Sequence, residues 1–358
     1  MRKVFFALLI VLALVLLVAG GYVAYLFLDY DRIEDHQALE VRARAQGALA
    51  VGEEKTIVSW NIGFGAYSAD YSFFLDGGTE SRAFSKEAVE RNLGFVTDVL
   101  RAQNADFMLV QEVDENATRS YHVDERKMIE DAFADGFSAV YAQNYHSSYL
   151  FFPIWKPHGA SNSGILTLSS AEISASERRS LPIEKGVRKF FDLDRCYDVS
   201  RIPTQDGREL CLIHLHLSAY TSDGSIATEQ LALVLEEMER ERAAGNYVIA
   251  GGDFNKDVWG DSAAYTGISG ADASWCKPFP TELIPAGFTL VNSLNEENLV
   301  LSSRDTAAPY EKGKTFEVTL DGFIVSDNVE VLSCEVIDTG FIATDHNPVR
   351  MRFRLTGA

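Results

Sequence analysis

Basic residues are scarce in this sequence: 32 lysines and arginines stand against 52 aspartates and glutamates, a formal net charge of −20 over 358 residues. No long basic run breaks that excess. Such a field repels polynucleotides at long range and argues against binding driven by counterion release. It leaves room for a nuclease whose site is neutralised locally by divalent cations. Cysteine is sparse too. Cys196, Cys211, Cys276 and Cys334 show no CxxC spacing, which argues against a structural zinc site. Two readings stay open for them, one or two disulfides in an oxidising compartment or buried small hydrophobes. Internal repeats and low-complexity tracts are missing as well. With 47% hydrophobic and 23% charged residues the balance is that of a globular chain, not a disordered one.

What is present begins at the N-terminus. After Met1-Arg2-Lys3 an uncharged run extends from Val4 to Leu28. About 20 apolar residues span a hydrocarbon core, whereas signal-peptide cores run to roughly 7–15 and end in an A-x-A-like site. Ala19-Gly20-Gly21 is the only weak cleavage candidate, and no cysteine follows to suit a lipoprotein anchor. The expectation is an uncleaved transmembrane anchor within residues 1–28. Arg2 and Lys3 precede the run; Asp29, Asp31, Glu34 and Asp35 follow it with only Arg32 among them. The positive-inside tendency then places the N-terminus in the cytoplasm and the rest of the chain, membrane-bound, outside it. Residues 29–55 are polar and alanine-rich without a turn cluster, which predicts a stalk or linker, helical in form. Residues 56–358 are long enough for one large domain.

Apolar strands and amphipathic helices alternate from Thr56 onward. Thr56-Ile-Val-Ser-Trp, Phe107-Met-Leu-Val, Gly164-Ile-Leu-Thr-Leu, Phe190–Val199, Glu209–Leu217, Tyr247–Ala250, Phe316–Val325 and Val349–Leu355 read as strands. Gln205-Asp206-Gly207 reads as a hairpin turn. Val89, Leu93, Val96 and Leu100 give Lys86–Gln103 a helical period behind an N-capping Ser85, and Thr228–Arg242 forms a second helix. One α/β domain with extensive sheet follows.

Polar residues interrupt these strands at their ends. Asn61 follows Ile57-Val58-Ser59-Trp60, and Glu112 follows Leu109-Val110-Gln111. His216 lies in Ile213-His214-Leu215-His216-Leu217, and Gly-Gly-Asp253-Phe-Asn255 closes another strand. Asp321 lies in Leu320-Asp321-Gly322-Phe323, and Thr344-Asp345-His346-Asn347-Pro348 precedes the last strand. Strand ends from separate strands converge on one rim of a sheet fold, where a site is held rigidly. Hydrolysis of a phosphate ester needs oxygen ligands for a hard cation such as Mg²⁺, a base for water and donors for the charge that develops. Asn61, Glu112, His216, Asp253, Asn255, Asp321, Asp345 and His346 cover all three needs.

In this order the motifs Trp-Asn-Ile, Gln-Glu-Val, His-Leu, Gly-Gly-Asp-Phe-Asn, Leu-Asp-Gly-Phe and Thr-Asp-His-Asn-Pro-Val resemble the endonuclease/exonuclease/phosphatase superfamily, across roughly Thr56 to Leu355. The resemblance implies a four-layered α/β sandwich, two packed mixed sheets flanked by helices. It implies Glu112 as principal Mg²⁺ (or Mn²⁺) ligand with Asn61 and Asp345 close to the ion. It implies His346 on the phosphate or as acid/base, oriented by Asp321, Asp253 at the attacking water and Asn255 on a phosphate oxygen. His216 matches a histidine found in the deoxyribonuclease and sphingomyelinase branches. Gly63 stands where some relatives carry an acidic metal neighbour, which argues against a second metal. Segments 63–85 and 145–163 have no counterpart and are expected to wall the site.

Each signal has a plainer reading. Asn61 could begin a turn, Gln111-Glu112 could be a solvated strand end, and Asp345-His346 an exposed loop pair. His214 and His216 share one face of their strand, so one of them can be a satisfied core histidine. All the plain readings must hold together for the site to vanish. The expected function is a membrane-anchored, metal-dependent phosphoesterase acting on a lipid headgroup, a small phosphoester or nucleic acid, with no protein partner called for. The alternatives are an extracytoplasmic nuclease and a catalytically silent binding module.

Overall fold

The computed structural model describes residues 2–186, 189–192, 194–219, 225–270 and 276–357. Its eleven longer strands are β1 (Glu54–Asn61), β2 (Phe107–Asp114), β3 (Ser138–Leu150), β4 (Gly159–Ser169), β5 (Ala175–Ser180), β6 (Cys196–Pro203), β7 (Glu209–His216), β8 (Tyr247–Asp253), β9 (Asp321–Ser326), β10 (Val329–Val336) and β11 (Val349–Leu355). The longer helices are α1 (Arg2–Asp29), α2 (Lys86–Ala102), α3 (Glu125–Ala132) and α4 (Ser225–Ala243).

Two seven-stranded sheets form, one in the order β10-β11-β1-β2-β4-β3-(Val41–Arg42), the other (Gln37–Ala38)-β5-β6-β7-β8-β9-(Phe288–Leu290). Strand parity sorts the side chains into layers. On β1, Ile57 joins Phe107, Leu109, Leu212, Ile249, Phe323 and Met351 between the sheets, while Val58 and Trp60 face α2 with Val89, Leu93 and Val96. On the far sheet Ile213, Leu215, Val248 and Ala250 pack on Leu231, Val234 and Met238 of α4. The result is helix, sheet, sheet, helix, the four-layered sandwich.

Local chemistry places the elements as expected in most places. The Ser85 hydroxyl accepts from the Ala88 amide, 3.2 Å, and starts α2. The turn at 205–207 closes the β6–β7 hairpin. Three readings need correction. The strand expected over Phe190–Val199 begins only at Cys196; Lys189–Asp192 is a short helix, and residue 193 lies outside the described residues. The strand expected over Phe316–Val325 is broken into Glu317–Val318 and β9, because Thr319 and Leu320 turn to put Ser302 against the backbone of Leu320 and Asp321. The polar segment after α1 is not helical. Gln37–Ala38 pairs with β5, Val41–Arg42 pairs with β3, and Leu49 bridges to Thr204. Open sheet edges offered unpaired backbone groups, and this segment satisfies them. All four cysteines are free; Cys196 and Cys211 are buried, the plainer of the two readings.

Helix α1 carries no charge from Val4 to Leu28, has no residue buried by the rest of the protein, and is long enough to cross a membrane.

Candidate active site

Register explains why distant residues meet. His216 ends β7 directly beside Asp253, which ends the parallel β8; Asp253 in turn faces Asp321 at the start of the antiparallel β9. Three site residues thus stand in one row across three strands. On the other sheet Asn61 ends β1 beside Gln111 of the parallel β2. A bulge in β2 between Val110 and Val113 turns Glu112 toward the same rim, with its φ at +56°. Asp345 and His346 immediately precede β11, the antiparallel neighbour of β1. All eight sequence-expected residues therefore lie on one rim of the sandwich.

One oxygen is the focus. Asp253 Oδ2 accepts from Asn61 Nδ2 at 3.0 Å and lies 3.6 Å from His216 Nε2 and 3.8 Å from His346 Nε2. Asn61 Nδ2 also reaches Glu112 Oε1 at 3.3 Å, and its Oδ1 accepts from the Gly63 amide at 3.0 Å. His346 donates through Nδ1 to Asp321 Oδ2 at 2.7 Å, and the Ser302 hydroxyl donates to that same oxygen at 2.7 Å. The Trp60 indole holds the His346 carbonyl at 2.8 Å. Asn255, at φ +50°, donates its amide to Asp253 Oδ1 at 2.8 Å and one side-chain hydrogen to the Leu217 carbonyl at 2.8 Å. That leaves its second hydrogen for another acceptor.

The groups do not titrate alike. Burial opposes a charge on His346, but the carboxylates of Asp321, Asp253 and Asp345 outweigh it and hold the imidazolium up to about 10. Burial, with the charge of Asp321, pushes Asp253 up to about 7. Burial also lifts Asp345 to about 6, with the Glu112 charge adding to it. His216 goes the other way: burial, then the positive neighbours Arg195 and His346, hold it well below its usual range. One charged and one neutral imidazole thus flank a carboxyl poised near neutrality.

Histidine 214 proves to be the satisfied core residue. Its ring sits between Gln111 Nε2 at 2.6 Å and Thr167 Oγ1 at 3.0 Å, and Thr167 also donates to Asp198 at 3.0 Å.

Segment 63–85 starts beside the site, with Gly63 near Asp345, and is held by the buried Arg304, whose guanidinium donates to the carbonyls of Tyr67, Ser68 and Tyr71. Segment 145–163 is the far half of the β3–β4 hairpin. Sequence reasoning missed Ser302, Trp60, Arg304 and Arg119, whose bidentate pair with Asp114 sits 4.0 Å from the centre of the Phe64 ring. Each lies in a loop or faces away along a strand, so no period singled it out.

Two groups offer cation ligands. In the first, Asp253, Asp321 and His346 bring ligand atoms within 4.8 Å of one another, but the imidazolium of His346 already fills that space with its bond to Asp321. In the second, the Glu112 and Asp345 carboxyls lie near enough for the charge of one to act on the other, and Asn61 reaches Glu112 Oε1 through its Nδ2 at 3.3 Å. Gly63, at φ +52°, lies beside this group: a Cβ there would stand 2.6 Å from Tyr67 Cδ2 and 3.1 Å from Asp345 Oδ1. Two hard carboxylates with surplus negative charge fit a divalent cation, which Asn61 Oδ1 would join once its amide turns.

The family model described as "Endonuclease/Exonuclease/phosphatase family" matches residues 58–346. No curated protein matches the sequence. Among solved structures, the endonuclease/exonuclease/phosphatase from Beutenbergia cavernae superposes with a TM-score of 0.54 at 16% identity, covering 85% of this chain and 72% of that one. The human Nocturnin catalytic domain gives 0.53 at 15%, covering 89% and 98%. TDP2 from D. rerio, complexed with a single-strand DNA product, gives 0.53 at 15%, covering 84% and 99%. At such identities the likeness is one of fold, and it agrees with the two-sheet sandwich. Members of the family hydrolyse phosphate esters and generally use divalent metal ions. The chain belongs to the endonuclease/exonuclease/phosphatase family.

Proposed function

We propose that the protein is a divalent-cation-dependent phosphoesterase, carried on a membrane by α1 with its N-terminus cytoplasmic and its catalytic domain extracytoplasmic. The observation that carries the catalytic part is the convergence of Asn61, His216 and His346 on Asp253 Oδ2. Glu112, Asp345 and Asn61 would hold Mg²⁺ or Mn²⁺, which supplies charge neutralisation for the non-bridging phosphoryl oxygens.

The chain's own residues supply the proton chemistry. Asp253, poised near neutrality, takes a proton from the water that attacks phosphorus. As the new P–O bond forms, the bond to the leaving oxygen breaks, and His346 gives that oxygen its Nε2 proton. Asp253 then returns its proton to His346 across the 3.8 Å that separates them, restoring both. Asp321 and Ser302 fix the ring through Nδ1 so that Nε2 faces the reaction. The second side-chain hydrogen of Asn255 and the neutral His216 are donors for the phosphoryl oxygens.

The intact acid, amide and imidazole set supports catalysis over a silent binding module. The net charge of −20 and the apolar helix favour a lipid headgroup or small phosphoester over nucleic acid. The test is hydrolysis by the detergent-solubilised full chain with Mg²⁺ of plasmid DNA, RNA, sphingomyelin, phosphatidylinositol and inositol phosphates. Turnover should vanish in excess chelator and return with Mg²⁺ or Mn²⁺. Undiminished turnover in chelator would remove the cation from the mechanism, and no turnover on any substrate would favour the binding module.

A further inference from the structure

The β3–β4 hairpin ends in Tyr149-Leu-Phe-Phe-Pro-Ile-Trp-Lys156, and large apolar groups stand in the open at its tip. Phe152, Ile154 and Trp155 are 65%, 72% and 94% exposed. A contiguous patch of this kind marks an interaction site. Its neighbour identifies the partner. Tyr22 of α1 donates its hydroxyl to the Tyr149 carbonyl at 3.2 Å, and Tyr25 accepts from the Tyr149 amide at 3.1 Å. The Phe151 ring meets the Tyr22 ring edge-on at 5.3 Å. At 1.5 Å of rise per residue, Tyr22 and Tyr25 lie about 10 Å and 6 Å before the end of α1.

A helix that spans a bilayer with Asp29 at the outer surface therefore carries the hairpin tip to the level of the headgroups and first acyl carbons. Aromatic side chains prefer that level. The tip also connects to the site. Phe152 packs on Phe74 at 5.8 Å, Phe74 on Phe73 at 4.9 Å, and Phe73 on Tyr67 at 5.5 Å. Tyr67 lies against Gly63, beside Asp345.

We propose that Phe151–Trp155 is a wedge inserted in the outer leaflet of the bilayer that α1 crosses, fixing the aromatic wall of the site against that leaflet. The occupant is lipid, because the exposed tip is continuous with the apolar surface of α1. The inference rests on the anchored reading above, and its test reads depth, not turnover.

The full chain would be reconstituted in phosphatidylcholine vesicles with and without acyl-chain bromines, and its tryptophan emission compared with that of Trp155→Phe. The difference isolates Trp155 from the other tryptophans. That difference should fall by roughly half or more in brominated vesicles, as expected of an indole at the interface. If the chain floats with the vesicles but the Trp155 signal ignores bromine and is quenched freely by aqueous iodide, the wedge is overturned and anchoring stands. If the chain does not float with them, both fall. A chain that binds but does not hydrolyse any phosphoester leaves the depth result decisive.

Discussion

At the scale of single residues, the site depends on a histidine set by a carboxylate. His346 is bonded to Asp321, which also accepts from Ser302. Removing the imidazole should lower kcat on the order of 10²–10⁴ with little change in KM. Asp321→Asn should do much the same. The double variant should be hardly worse than either single one, because the two act as a unit. Steady-state kinetics on folded variants decides it; near-wild-type kcat in His346→Ala would show the site misassigned. Glu112 makes a different point. It holds a left-handed φ of +56° in a strand bulge, a conformation that costs a side-chain-bearing residue roughly 1 kcal/mol. Glu112→Gly should therefore abolish turnover yet leave the unfolding free energy unchanged or up to about 1 kcal/mol higher. A loss of stability in denaturant titration would mean that the carboxylate holds the fold. The gathering of the eight candidate residues at one rim was legible in sequence because chemistry restricts residue types at strand ends. Ser302 was not: a serine in a loop carries no such restriction until Asp321 is seen beneath it.

At the scale of elements, the strand ends that carry the candidate residues were readable, and of the strand partners only the β6–β7 hairpin was. The apolar runs that marked β1, β2, β8 and β11 say that a strand is buried, not which strand lies alongside. The row His216, Asp253, Asp321 exists only through the pairing of β7, β8 and β9. Gly252 shows how tight that pairing is, since a Cβ there would stand 1.9 Å from the Leu215 carbonyl oxygen. The wall segments have a feature of their own in His158. It is buried, bonded to the Ser81 carbonyl at 2.7 Å and packed by Phe74, and burial with the Arg119 charge lowers its pKa to about 4. The unfolded chain takes a proton near the ordinary 6.5 while the folded one resists it. Stability should thus fall as pH drops from about 6.5 toward 4, by roughly 3 kcal/mol at most, and change no further below that. His158→Gln should lose this part of the acid sensitivity. Parallel pH profiles for the two proteins in urea titrations would place the acid dependence elsewhere.

At the scale of the whole molecule, the apolar N-terminal helix and the sandwich were legible from hydropathy and motif order, whereas the course of residues 30–55 was not. That segment owes its form to sheet edges formed far away in sequence, which its own composition cannot report. Orientation is open to a direct measurement. Protease added outside intact cells should digest the domain and leave a short membrane stub, and full protection of the domain would reverse the orientation. The edge strands Gln37–Ala38 and Val41–Arg42 have a consequence for kinetics. A free tether of this length would let the domain roam a shell of roughly 30 Å. Sewn into both sheets, the tether has almost no slack, and an anchored domain keeps one height and one face toward its membrane. On the proposed anchoring and with a lipid substrate, its encounters would become a two-dimensional search, with a rate that follows the surface density of that lipid, not the bulk concentration around it.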